Sequence, residues 1–282
     1  MKCALNQATL NTTSCEQFFN AAGDAKFDGV EVRQTNIASY LNSAEDASYI
    51  ILREALASNQ LEVAAVNALE FFNLCEDLDF KKIITPQAQF MCEIAYKLES
   101  NLIIVVPSFL PEGADPVEVR QDKLIQKTQD RLRKVAKIAQ EQDVRVGFEF
   151  LGFPTNSVNN LILARQIVEP LYSTIENVGF VIDTFHFLVG GCKIDDLKGL
   201  ESLFMVHVND LPFSPGDDLS EKKDADRVFP GEGNFDFMSF SQALADVHFK
   251  EWVSVELFDE KLYSQPAIDV AQKAKESLQV IP

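Results

Sequence analysis

Leu102-Ile103-Ile104-Val105-Val106 is an unbroken apolar run of aliphatic residues, most of them β-branched. A strand with one wet face alternates apolar and polar side chains, whereas a run apolar on both faces belongs to a strand packed on each side, as in a parallel sheet covered by helices. Working outward from it, similar short runs recur at Lys2–Leu5, Val30–Val32, Val63–Val66, Val144–Phe148, Val178–Ile182, Phe204–Val208 and Trp252–Val255, with longer segments of helical period between them. Eight strands in 282 residues leave roughly 35 residues for each strand, helix and pair of loops, the size of one β/α unit. The expected fold class is α/β, a (β/α)8 TIM barrel, in one domain over residues 1–282. Doubly wound sheets share the buried-strand signature.

Helix starts are legible between the runs. Ser14 with Gln17 suits a capping box, Thr85-Pro86 reads as N-cap and first helical residue, and Asp115-Pro116 with Glu118 repeats the pattern. No Pro/Gly/Ser-rich linker or low-complexity tract divides the chain. The stretch from Asn209 to Phe237 is long and rich in Asp, Pro and Gly. It follows a strand end, so it is expected to lie over the active face, and long loops in compact domains are usually functional.

Composition narrows the function classes. No run of about 18 apolar residues offers a membrane span, and Met1-Lys2-Cys3-Ala4-Leu5-Asn6-Gln7-Ala8 turns polar before a signal region develops, so the cytoplasm is the expected location. Cys3, Cys15, Cys75, Cys92 and Cys192 are scattered, odd in number and without C-x-x-C spacing, which argues against a disulfide framework or thiolate metal site. A formal charge of −18 repels phosphate backbones, so nucleic acid is not an expected partner. Homo-oligomerisation is left open.

Four of the last strands end on a residue able to bind a hard divalent cation: Glu149 after Val146-Gly147-Phe148, Asp183 after Phe180-Val181-Ile182, His207 after Phe204-Met205-Val206, and Glu256 after Val253-Ser254-Val255. One strand-end glutamate usually caps a helix or pairs with a lysine. Four in succession, at the barrel face where such enzymes build their sites, converge on one point. Three carboxylates and an imidazole without a thiolate suit Mn²⁺, Mg²⁺, Co²⁺ or catalytic Zn²⁺. His186, three residues past Asp183, is placed to hydrogen-bond a substrate oxygen or to serve as a structural loop histidine; His248 reads as structural. Arg227, among turn residues in Asp226-Arg227-Val228-Phe229-Pro230-Gly231-Glu232-Gly233, either reaches in to bind a hydroxyl or oxyanion or pairs with Asp224, Asp226 or Glu232. The loops Asn209-Asp210-Leu211-Pro212 and Leu257-Phe258-Asp259-Glu260 are acidic and lack a glycine cradle, which points to an unphosphorylated substrate.

Asn6-Gln7-Ala8-Thr9, Glu31-Val32-Arg33, Asn67-Ala68-Leu69-Glu70-Phe71-Phe72-Asn73, Phe148-Glu149-Phe150, Ile182-Asp183-Thr184-Phe185-His186-Phe187, Asp226-Arg227-Val228-Phe229-Pro230-Gly231 and Val253-Ser254-Val255-Glu256-Leu257-Phe258 run nearly the length of the chain. Together they resemble the xylose-isomerase-like barrel superfamily of sugar isomerases and epimerases, and within it the inosose (keto-inositol) isomerases. The resemblance implies one divalent metal on Glu149, Asp183, His207 and Glu256, with Glu149 and Glu256 also the catalytic proton-transfer groups. It further implies that His186, Arg227 and Asn67 hold a small sugar or polyol. Phe153 stands where that family pattern has a His, and Asn209 where an acid is common. Phenylalanines beside the motifs (Phe71, Phe72, Phe150, Phe185 and Phe187) are expected to make the pocket walls partly apolar.

The expected reaction is isomerisation or epimerisation of an unphosphorylated keto-polyol or ketose, a proton leaving the carbon next to the carbonyl to give an enediolate. The nearest alternative is a metal-dependent dehydratase of the dehydroshikimate type, which would need an added Arg or Lys for the substrate carboxylate. A DNA-repair endonuclease of the same fold would need many more histidines than the three present. A non-catalytic binding or scaffold protein is a third alternative, weakened by the intact ligand set.

Overall fold

The computed structural model of the chain describes residues 1–11, 13–41, 45–111 and 121–281. They form eight parallel strands: β1 (Lys2–Asn6), β2 (Gly29–Arg33), β3 (Glu62–Leu69), β4 (Leu102–Val105), β5 (Arg145–Glu149), β6 (Val178–Asp183), β7 (Leu203–Val208) and β8 (Trp252–Val255). Each pairs with the next, and β8 closes on β1 with Lys2 opposite Trp252 and Leu5 opposite Val255. The sheet is therefore a barrel without a free edge, and a doubly wound sheet is excluded. Each expected apolar run falls on a strand. The largest difference is at β3, which continues through a register shift to pair Leu69 with Val105.

Successive side chains along a strand point to opposite faces. On β4, Ile103 and Val105 pack outward in the layer shared with the helices, while Leu102 and Ile104 pack inward with Ala4, Val181, Met205 and Trp252. The indole of Trp252 fills the N-terminal end of the barrel; a Cβ on Gly29 would lie 2.8 Å from it, so only glycine fits there. Continued towards the C-terminal end, the inward-facing set runs from Ala4 to Asn6, Gly29 to Glu31, Gly147 to Glu149, Val181 to Asp183, Met205 to His207, and Trp252 through Ser254 to Glu256. The barrel is thus apolar below and polar at its mouth, with the change on the inward face of these six strands, while β4 and the residue after it stay apolar through Leu102, Ile104 and Val106.

The capping box at Ser14 is present: its hydroxyl accepts the Gln17 N–H at 3.2 Å, and Gln17 accepts the Ser14 N–H at 3.3 Å. Thr85-Pro86 does not open a helix. The helical path begins at Asp77, passes through a π-turn over Phe80–Ile84 and continues through Thr85–Lys97. The Thr85 N–H reaches back to the Phe80 carbonyl, and Pro86, having no N–H, leaves no donor unpaired in the widened turn. The expected cap at Asp115-Pro116-Glu118 lies outside the described residues. The loop after β7 crosses the C-terminal mouth and is held by Asp210, whose carboxylate accepts the N–H groups of Leu211, Gly231, Gly233 and Phe235 at 2.8–3.0 Å. A Cβ on Gly233 would come within 2.6 Å of the Leu211 backbone, which explains the glycine.

Candidate active site

His207, the fifth residue of β7, is the geometric centre of the mouth and is fully buried. Its Nδ1 lies 3.0 Å from Glu149 Oε1 and 3.6 Å from Glu256 Oε2, while Nε2 faces Glu31 at 3.1 Å. Asp183, hydrogen-bonded through Oδ1 to the His186 N–H, completes the group. The ligating atoms of Glu149, Asp183, His207 and Glu256 all lie within 4.8 Å of one another, and all four residues are buried. The buried Glu/Asp/His cluster is thus able to hold one metal ion.

Its electrostatics fit a cation. Burial alone would raise every carboxyl here; for Asp183 the Arg227 guanidinium, and for Glu31 the His207 ring, outweigh it and hold both below the ordinary range. For Glu149 and Glu256 burial prevails over His207 and Arg227, lifting both, Glu256 to about 7. Burial would lower His207, but Glu31, Glu149 and Glu256 together raise it well above its usual value. The protein's own charges therefore leave Glu149 and Glu256 short of positive charge, and a divalent ion amid oxygen donors and one imidazole nitrogen would supply it. With Nδ1 turned towards the carboxylates, Nε2–H is left to donate to Glu31, the arrangement in which an outer carboxylate fixes the ring of a ligating histidine.

Arg227 reaches in from the loop. One guanidinium nitrogen, NH1, is 2.9 Å from both Asp183 Oδ2 and Glu256 Oε2, and the other, NH2, is 2.7 Å from Asp224 and 3.1 Å from His186 Nε2. The rings of Phe185 and Phe258 lie 4.8 and 4.9 Å from its central carbon. Of the partners expected for it, Arg227 pairs with Asp224, and it also reaches the carboxylates of Asp183 and Glu256. Because an arginine can only donate, His186 Nε2 accepts and the ring proton sits on Nδ1. That Nδ1 has no protein partner among the described residues. Burial first, then Arg227, lower His186 to about 4, so it is neutral near pH 7.

A model of the xylose isomerase-like TIM barrel family matches residues 19–282. The chain belongs to this family. An inosose isomerase of Halalkalibacterium halodurans is 30% identical over 98% of the chain and 95% of its own length. A 3-dehydroshikimate dehydratase of Pseudomonas aeruginosa is 25% identical over 94% of the chain but only 39% of its own length. Among solved structures, the IOLI protein with a binding zinc atom superposes with a TM-score of 0.90 at 28% identity, covering 100% of this chain and 98% of that one.

Within this member of the xylose isomerase-like barrels, a cavity of about 220 Å³ adjoins the cluster, bordered by Glu149, Glu256, His186 and Arg227. Asn67 borders it too, with its amide donating to Glu31 at 2.7 Å and Glu256 at 3.3 Å. His248 is exposed at a helix end, away from the site. The apolar wall differs from expectation. Phe72, Phe150 and Phe187 are buried in the strand–helix layer, and Phe185 lies beneath Arg227; the cavity is lined by Phe71, Phe109, Phe153 and Phe258. Phe153 meets His186 edge-on at 5.1 Å. Asn209 donates to Asp183 Oδ2 at 2.7 Å, so it orients a carboxylate and adds none.

Glu31, Asn6 and Ser254 stand in the motif stretches of the sequence, but no role in the site was expected of them. Asn6 donates to Glu256 at 2.8 Å and Ser254 to Glu31 at 2.8 Å. The available signal was polarity on the inward parity of β1, β2 and β8, which becomes readable once closure defines inward.

Proposed function

We propose that the chain is a divalent-metal-dependent isomerase of an unphosphorylated keto-polyol, a keto-inositol, with Glu149, Asp183, His207 and Glu256 as metal ligands. The observation that carries this reading is the placement of Glu149 and Glu256 3.0 and 3.6 Å from His207 Nδ1, both at the wall of one small cavity. A divalent ion bound there supplies Lewis-acid polarisation of the substrate carbonyl and stabilises charge on its oxygen. The remaining work belongs to the chain's own residues. One glutamate removes the proton from the carbon next to the carbonyl, and the other returns a proton to the neighbouring carbon or the opposite face. Asn6, Asn67 and Arg227 keep Glu256 in place. His186 offers its Nδ1–H to a substrate oxygen, and Phe71, Phe153 and Phe258 keep water from the cavity. A phosphate is disfavoured because Asp210 already takes the Gly231 and Gly233 N–H groups that would cradle one.

The test is turnover of a keto-inositol in D₂O by metal-reconstituted enzyme. Deuterium is expected on the carbon next to the carbonyl, seen by NMR as a lost proton signal, and Glu149→Gln or Glu256→Gln is expected to lower kcat by about 100-fold or more. Product with no carbon-bound deuterium, together with direct carbon-to-carbon transfer of label, overturns the proton-transfer route. A role in inositol catabolism in the cytoplasm is part of the proposal, in keeping with the free state of all five cysteines.

One observation favours dehydration of a cyclic keto acid instead. Arg33 lines the same cavity, and its guanidinium has no hydrogen bond or ion pair among the described residues, so it is available to a carboxylate. A conjugated ultraviolet-absorbing product from such an acid, with keto-inositols untouched, would decide for that reaction.

A further inference from the structure

The cavity beside the metal cluster adjoins a larger one of about 430 Å³, and the two share Arg33, Asn67, Ala68, Glu70 and Phe71 as lining. The larger cavity runs from the ends of β2 and β3 towards the π-turn at Phe80–Ile84, which contributes Ile83 and Ile84 to its floor. A single six-membered ring is accommodated by the smaller cavity alone, since whole ligand sites for larger molecules span roughly 300–1,000 Å³. We propose that the larger cavity is a subsite for a second, uncharged sugar or polyol ring, joined through an ether or glycosidic oxygen to the ketone-bearing ring. This rests on the keto-polyol reading and extends it to the substrate class.

The lining has the chemistry of a carbohydrate site. Gln34, Gln87, Glu70 and Asp79 are among the lining residues, with amides and carboxylates of the kind that bind hydroxyl groups; the Gln34 amide also donates to the Ala68 carbonyl at 2.8 Å. Arg33, in contact with the Phe258 ring at 5.8 Å, stands at the junction with donors to spare. Against these polar groups, Phe71 and Ile83 are 48% and 51% exposed, an apolar surface suited to the C–H face of a ring. Phe71 is held there by a backbone φ of 57°, a region bulky residues seldom occupy and one concentrated at ligand sites. Its ring packs on Phe109 at 5.8 Å, at the boundary between the two cavities. The π-turn in the floor is a second backbone irregularity of the kind found at functional sites. Two carboxylates against one guanidinium make the wall unfavourable for a phosphate or carboxylate substituent.

The test compares a keto-inositol with the same ketone carrying a glucosyl group on a hydroxyl remote from the carbonyl, using metal-loaded enzyme. The glucosylated ketone is expected to show at least a tenfold higher kcat/KM than the free one. Gln87→Trp and, separately, Thr35→Trp, both at exposed positions that line only the larger cavity, are expected to lower that ratio tenfold or more. A ratio at or below one in the natural protein, or one that neither variant changes, overturns the subsite. If neither ketone reacts, the isomerase reading fails separately. Calorimetric binding of the corresponding glucosyl-inositol alcohol then decides the subsite: binding lost in the Trp variants supports it, and absent or unaltered binding overturns it.

Discussion

Replacing Arg227 by Met removes the guanidinium but keeps an unbranched apolar stem between Phe185 and Phe258, so the change tests charge more than volume. In the natural protein NH1 is 2.9 Å from both Asp183 and Glu256, and all three side chains are buried. Removing one partner of a buried ion pair leaves an uncompensated charge and typically costs about 3–5 kcal/mol. The contact with Asp224 adds little, because that carboxylate is 42% exposed and can turn to water. At about 2 °C or more per kcal/mol for a domain of this size, the metal-free variant should melt about 6 °C or more below the natural protein. A cation held by Asp183 and Glu256 compensates the same two carboxylates, so in saturating Mn²⁺ the gap should shrink to less than half. Scanning calorimetry of both proteins, with chelator and with Mn²⁺, measures the two gaps. Equal losses in both conditions would refute the idea that guanidinium and metal neutralise the same charge.

Three further outcomes follow from the site. Glu31→Gln, which weakens the hold on His207 Nε2, is expected to reduce metal affinity about 10–100-fold by competitive chelator titration; unchanged affinity would remove Glu31 from the support of the metal site. His207→Ala should no longer carry stoichiometric metal by elemental analysis, and chelator-stripped natural protein should lose turnover that added Mn²⁺, Co²⁺ or Zn²⁺ restores; full activity after stripping refutes the assignment. His186, lowered to about 4 by burial and Arg227, should show no ring titration between pH 5 and 8 in histidine-labelled NMR. Because its folded value lies below the unfolded one of about 6.5, the unfolded chain takes up the proton first, and this group's contribution to stability falls as pH drops from about 6.5 towards about 4. A midpoint near 6.5 would contradict that.

The amino-acid sequence by itself determined the eight buried strands and the four strand ends that carry ligating side chains, while closure into a barrel, as against a doubly wound sheet, was decided by the pairing of β8 with β1. Short, β-branched apolar runs such as Leu102–Val106 read as strands buried on both sides, and a charged or imidazole side chain directly after such a run lies at the end of its strand. These are short-range properties, and they survived folding nearly unchanged. Tertiary structure decided the rest. In Gly29-Val30-Glu31-Val32-Arg33, Glu31 looks like the polar face of an ordinary alternating strand, and only closure of β8 on β1 turns that face into the barrel, across from His207. Arg227 joins Asp183 and Glu256 because Asp210 ties down the backbone of the loop that carries it, a constraint between residues 21–25 apart in sequence. Pro86 reads locally as a helix start, yet the π-turn ahead of it lets the helix pass through. Which phenylalanines line the cavity was likewise a matter of packing: all are equally apolar in sequence, and the choice falls to whichever side of its strand or loop each ring lies on when the barrel closes.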